Sequence, residues 1–209
     1  MSREPVYLEV GSKRVFAGAL DWPGWIRAGK GEDAALEALA AATERYAPVA
    51  RSAGFPLPEK AARSFAVVER VKGNATTDFG APGLPAKVDA EPLRGKELER
   101  QLALLAAAWA TLDKVVAEAP AGLRKGPRGG GRDRDKIVEH VLGAESAYAG
   151  ALGLKLRAPS VETAAVNEFR AAIVAGLRKG EGMWPARYAL RRIAWHTLDH
   201  AWEIEDRST

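Results

Sequence analysis

Short apolar runs alternate with turn residues over the first seventy positions. Val6-Tyr7-Leu8-Glu9-Val10 and Val15-Phe16-Ala17-Gly18-Ala19-Leu20 flank Gly11-Ser12-Lys13-Arg14, which predicts a strand hairpin. Asp21-Trp22-Pro23-Gly24 sets Pro beside Gly and predicts a turn, with Trp25-Ile26-Arg27-Ala28 as a short third strand. The spacing then becomes helical. Ala35, Leu36, Leu39, Ala42, Tyr46 and Val49 predict one helix, begun by Glu32 and Asp33 and left uncertain in its last turn by Pro48. Ser64 to Val71 reads as a fourth strand. The predicted order β-β-β-α-β makes a small α+β domain over residues 1–74. Residues 75–92 lack periodicity and are rich in Gly and Pro, which predicts a linker or a surface loop. Asp78-Phe79-Gly80 lies in this stretch, but no other protein-kinase element accompanies it.

From residue 93 the period is helical throughout. The stripe Leu98, Leu102, Leu105, Trp109, Leu112 and Val116 stops at Pro120 and Gly122. A second stripe runs through Ile137, Val141, Ala144 and Tyr148, with Asp133 or Asp135 as its cap. A third, capped by Ser160, carries Val166, Phe169, Ile173 and Leu177 and ends at Gly180. A fourth runs from about Ala186 to Asp206, entered through Trp184-Pro185. Four helices with short connections predict an all-α four-helix bundle over residues 93–209.

Composition narrows the chemistry. The 209 residues include no cysteine, which excludes disulfides, thiolate ligands and a cysteine nucleophile. The formal charge of +4 is small and scattered. The one dense basic stretch, Arg124 to Arg132, is Gly-rich and carries no aromatics; it reads as a solvated or anion-contacting loop before it reads as a nucleic-acid surface. No signal segment and no membrane-spanning apolar run is seen, so a cytoplasmic protein without a membrane partner is expected.

Only three histidines are present, and their positions carry the functional reading. His196 and His200 stand four apart on the last predicted helix, one turn from each other on a shared face. His140 follows Ile137 by three and precedes Ala144 by four, on the inner edge of the second helix. Three inward imidazoles supply a divalent ion with ligands and leave coordination positions open. Geometry alone leaves three core histidines satisfied by carboxylates or carbonyls as the alternative.

The neighbours are read by the same spacing. Glu139 and Asp199 lie about 100° round the helix from the histidines they adjoin and point elsewhere. Glu203, three after His200, can orient a ring or act as a base. Arg191 and Arg192 precede His196 by about one turn and can hold an anionic substrate. Trp195 and Trp202 read as packing, and Tyr148 as core.

Two resemblances follow from these residues. Residues 5 to 71, with the hairpin, the Asp21-Trp22-Pro23-Gly24-Trp25 turn, Gly29 and the Ala/Leu-rich helix, resemble the HicB-like antitoxin domain. That resemblance implies a protein partner for this half, although no helix-turn-helix or ribbon candidate accompanies it. Residues 93 to 207 resemble the DinB-like (DinB/YfiT-type) superfamily. Asp135-Lys136-Ile137-Val138-Glu139-His140-Val141 and Trp195-His196-Thr197-Leu198-Asp199-His200-Ala201-Trp202-Glu203 match its three ligand positions. The resemblance implies zinc, nickel or another divalent ion at His140, His196 and His200, and a homodimer in many members. It also implies a transferase or isomerase using mycothiol, bacillithiol or glutathione on a small-molecule substrate. A hydrolase working through metal-activated water, and a non-catalytic metal-binding or regulatory protein with a HicB-like partner-binding domain, stand as alternatives.

Overall fold

The computed structural model describes residues 3–58, 64–126 and 130–208. Residues 127–129 of the basic loop lie outside that set. Three strands open the chain and a fourth follows two helices: β1 (Glu4–Val10), β2 (Val15–Ala19), β3 (Ile26–Gly29) and β4 (Phe65–Lys72). Their order in the sheet is β3-β2-β1-β4. β1 pairs antiparallel with β2 and parallel with β4, and β2 pairs antiparallel with β3, so the sheet is mixed.

Both faces of this sheet are covered, which explains why β2 is buried along its whole length and why β1 reads as an unbroken run. Successive side chains point to opposite faces. Val6, Leu8, Val15 and Ala17 join the core formed with α1 (Glu32–Ala41) and α2 (Thr43–Ser52). Fully buried Trp25 donates its indole N–H to the carbonyl of Leu39, and Tyr46 donates its hydroxyl to the carbonyl of Pro23. The predicted single helix is thus two. The break falls at Ala42 rather than at Pro48, which sits inside α2. The Thr43 hydroxyl donates to the carbonyl of Ala40 at 2.6 Å, the carbonyl that a continuous helix offers to the amide of Glu44.

The opposite face takes the stretch expected as a linker. Residues 75–92 are not a loose connection. They form a short helix α3 (Ala75–Phe79) and a 3-10 turn (Lys87–Ala90), both anchored on buried polar groups. Glu9 on β1 is fully buried and accepts from the Thr77 hydroxyl at 2.5 Å, the Gly83 amide at 2.9 Å and the Leu84 amide at 3.1 Å. An Asn74 cap starts α3, its side chain accepting from the Thr76 and Thr77 amides.

Four long helices follow: α4 (Gly95–Glu118), α5 (Arg134–Ala151), α6 (Thr163–Lys179) and α7 (Ala186–Arg207). α6 begins one residue after Glu162, not after Ser160, and stops where Gly180 takes the left-handed conformation at φ 64°. α7 lies at the centre, packed against α4, α5 and α6 and against the 3-10 turn. One apolar core runs from Val6 and Trp25 of the sheet half through Leu105 and Trp109 of α4 to Leu198 and Trp202 of α7. The two halves therefore share their interior. Among the described residues no helix is long and apolar enough to cross a membrane.

Candidate metal centre

α7 is buried on nearly every side in its middle, from Tyr188 to Leu198. Its sheet-facing side is apolar or paired: Trp195 meets Phe16 edge-on at 5.9 Å and clusters with Ile26. The side facing α5 carries Arg192, His196 and His200, each one turn from the next. α5 answers with His140 and, two turns on, Tyr148.

These positions bring all three histidines together. One ligand nitrogen from each of His140, His196 and His200 lies within 4.8 Å of the others. Their ring centroids are 4.6 to 5.1 Å apart. Nitrogens bound to one tetrahedral ion at about 2.0–2.1 Å stand about 3.3 Å apart, so an ion would draw the rings in by an ångström or so. His196 is buried, and His140 and His200 are half-buried.

Protonation favours ligation. Burial, then the neighbouring His200, Arg192, His140 and Arg132, push His196 down to about 2, so this ring stays neutral at physiological pH. Burial, His200 and Arg132 also lower His140, against a weaker opposing pull from Glu203. The Nδ1 atom of His196 is buried and has no hydrogen-bond partner. An orphaned polar atom of this kind costs about 1–3 kcal/mol unless something binds it. A three-imidazole set with one orphaned nitrogen fits a divalent ion.

Glu203 does what the spacing suggested, as a positioning group. Its Oε2 lies 2.8 Å from His200 Nδ1 and its Oε1 accepts from Arg207 at 2.6 Å. The hydrogen bonds from His200 and then Arg207 hold its carboxyl below the usual range. With Nδ1 committed to a carboxylate, His200 presents Nε2 to the cluster. Each carboxylate oxygen accepts one hydrogen bond, so the contacts of Glu203 are those of a group that orients His200. Glu139 pairs with Lys136 on the surface and Asp199 pairs with Arg27, both away from the cluster.

The two arginines separate. Arg191 faces the sheet, lies over the Tyr7 ring at 4.9 Å and forms a buried double ion pair with Asp89. It is not available to a substrate. Arg192 faces the cluster, between the Tyr148 ring at 5.1 Å and the Trp195 ring at 4.8 Å.

Tyr148 is a wall of the site and not plain core. Its ring is 5.8 Å from His196 and 5.3 Å from Trp184, which in turn contacts Tyr188 at 4.8 Å. The signal was in the sequence: Trp184, Tyr188, Arg192, His196 and His200 recur every four residues, and Tyr148 stands two turns from His140. Behind the site, buried Glu145 accepts from Trp109 Nε1 at 2.7 Å and from the Thr197 hydroxyl at 3.3 Å. Comparison of the chain with protein-family models, with curated proteins and with solved structures returned no match.

Proposed function

We propose that this chain is a DinB-like divalent-metal protein, its four long helices forming a four-helix bundle, and that it is a metal-dependent transferase using a low-molecular-weight thiol. The observation that carries the reading is the approach of three ring nitrogens from two helices to within 4.8 Å. A fully protein-ligated structural site would show a fourth donor; three ligands leave positions for a reactant. A zinc or nickel ion held by His140, His196 and His200 would lower the pKa of a thiol or water brought to it.

The chain's own residues supply the rest. Glu203 fixes the orientation of His200 through Nδ1. Burial keeps His196 unprotonated and therefore able to ligate. Tyr148, Trp184 and Tyr188 form a run of ring contacts beside the cluster. No cysteine is present, so the nucleophile comes from the cosubstrate.

The test is metal content. Protein loaded with zinc or nickel and then dialysed should retain about one ion per chain, and His196→Ala should retain almost none while staying folded. Equal, negligible retention by both would sink the metal centre. Retention without metal-dependent turnover of glutathione, mycothiol or bacillithiol with an electrophile would sink the transferase.

A further inference from the structure

Three arginines among the described residues are buried: Arg170, Arg191 and Arg192. Arg170 forks onto Asp113 at 2.7 and 3.0 Å, and Arg191 forks onto Asp89. Arg192 is 8% exposed, and no carboxylate among the described residues pairs with it. Its NH1 nitrogen is fully buried with no hydrogen-bond partner. A guanidinium taken out of water without an anion is costly, and the two other buried arginines show how the fold answers that cost elsewhere.

The surroundings point to what would answer it. The rings of Tyr148 and Trp195 hold the guanidinium and supply no anion. One turn along α7 stands His196. A divalent ion at the histidines would sit beside an unpaired cation, and the repulsion is relieved when an anion arrives with the reactant. Guanidinium matches a carboxylate two bonds at a time.

We infer that Arg192 is the docking group for a carboxylate on the small molecule that enters between α5 and α7. The ligand class is a short organic acid whose far end reaches the histidines. Its charge is read from Arg192 alone. Its length rests on the metal centre proposed above.

The experiment uses 3-mercaptopropionate and its uncharged amide, titrated calorimetrically into metal-free and zinc-loaded protein. Metal-free wild type should bind the acid about tenfold or more tighter than the amide, the scale of a charge-assisted hydrogen-bond pair. Arg192→Gln should erase that preference, and Arg192→Lys should keep part of it. Arg192→Gln gives up the contacts with the Tyr148 and Trp195 rings but breaks no ion pair, so the variant should stay folded. A wild type that does not prefer the acid, or a preference that survives in folded Arg192→Gln, would overturn the assignment. Zinc retained without an acid preference sinks this inference alone. An acid preference without zinc retention sinks the metal centre and leaves Arg192 standing.

Discussion

α7 has two sides, and they are built differently. On the side toward the sheet, the charge of Arg191 finds its match: Arg191 is 2% exposed, Asp89 is 1% exposed, and the two hold each other beside Tyr7, with only the Arg191 Nε left unpaired. On the side toward α5, polar atoms are buried without answers: Arg192 NH1 and His196 Nδ1 have none. The two arginines are adjacent in sequence and alike in burial, so exposure does not separate them. What separates them is whether the fold itself supplies the partner. A buried polar group that is matched internally holds the structure together. On the α5 side the unmatched atoms cluster, and a cationic one stands without a carboxylate, which is the observation behind the proposed ligand site.

The largest test breaks the matched side. Asp89→Ala leaves the Arg191 guanidinium buried and uncompensated and should cost about 3–5 kcal/mol in denaturant unfolding. Replacing both partners with apolar residues should recover most of that loss. If Asp89→Ala were neutral, the pair would not be a structural clamp and the contrast with Arg192 would fail. An intermediate effect is expected on the unmatched side. Glu203→Gln keeps the shape but weakens the hold on His200, and should lower zinc affinity about 10- to 100-fold with little change in melting temperature. Unchanged affinity would mean that His200 is oriented without Glu203.

The smallest effect lies between the two sides, at Glu145. Burial raises its carboxyl above the ordinary range, opposed mainly by Arg170. The folded state therefore holds this proton more tightly than the unfolded chain. The resulting stability is fully present below the ordinary carboxylate range near pH 4.5 and is lost as pH rises through the raised folded value. Glu145→Gln does not titrate, so it should gain on the wild type with rising pH, by about 1 kcal/mol at neutral to alkaline pH. Melting temperatures measured across pH 4 to 9 would check it, and parallel curves would remove the buried proton from the account.

The parts of this molecule that were legible in advance are those written in short spacings. The three-four rhythm of α4 to α7 and the His196–His200 step depend on neighbours one turn away, and both appear in the fold. His140 could be placed because Ile137 and Val141 define a face around it. The parts that were not legible depend on partners far along the chain. Nothing near Asp89 shows that Arg191, on the last helix, will bury it. Nothing near Thr77 shows that Glu9 on the first strand will anchor it, so residues 75–92 read as a linker. Glu9 was visible as a charge inside an apolar strand, a signal that something must reach it. Tyr148 reads as core because an aromatic on an inward stripe usually is core, and its two-turn spacing from His140 is what places it beside the cluster.

The turn before β3 bears on how freely this chain can vary. Gly24 has φ 92°, and a Cβ there would meet Leu198 Cδ1 at 2.7 Å and the carbonyl oxygen of Ala194 at 3.2 Å. Leu198 lies between the two histidines of α7, so any side chain at position 24 pushes on the turn that carries them. A substitution near the start of the chain is thereby read out at the ligands near its end. Position 24 and the histidine helix are free to drift only together.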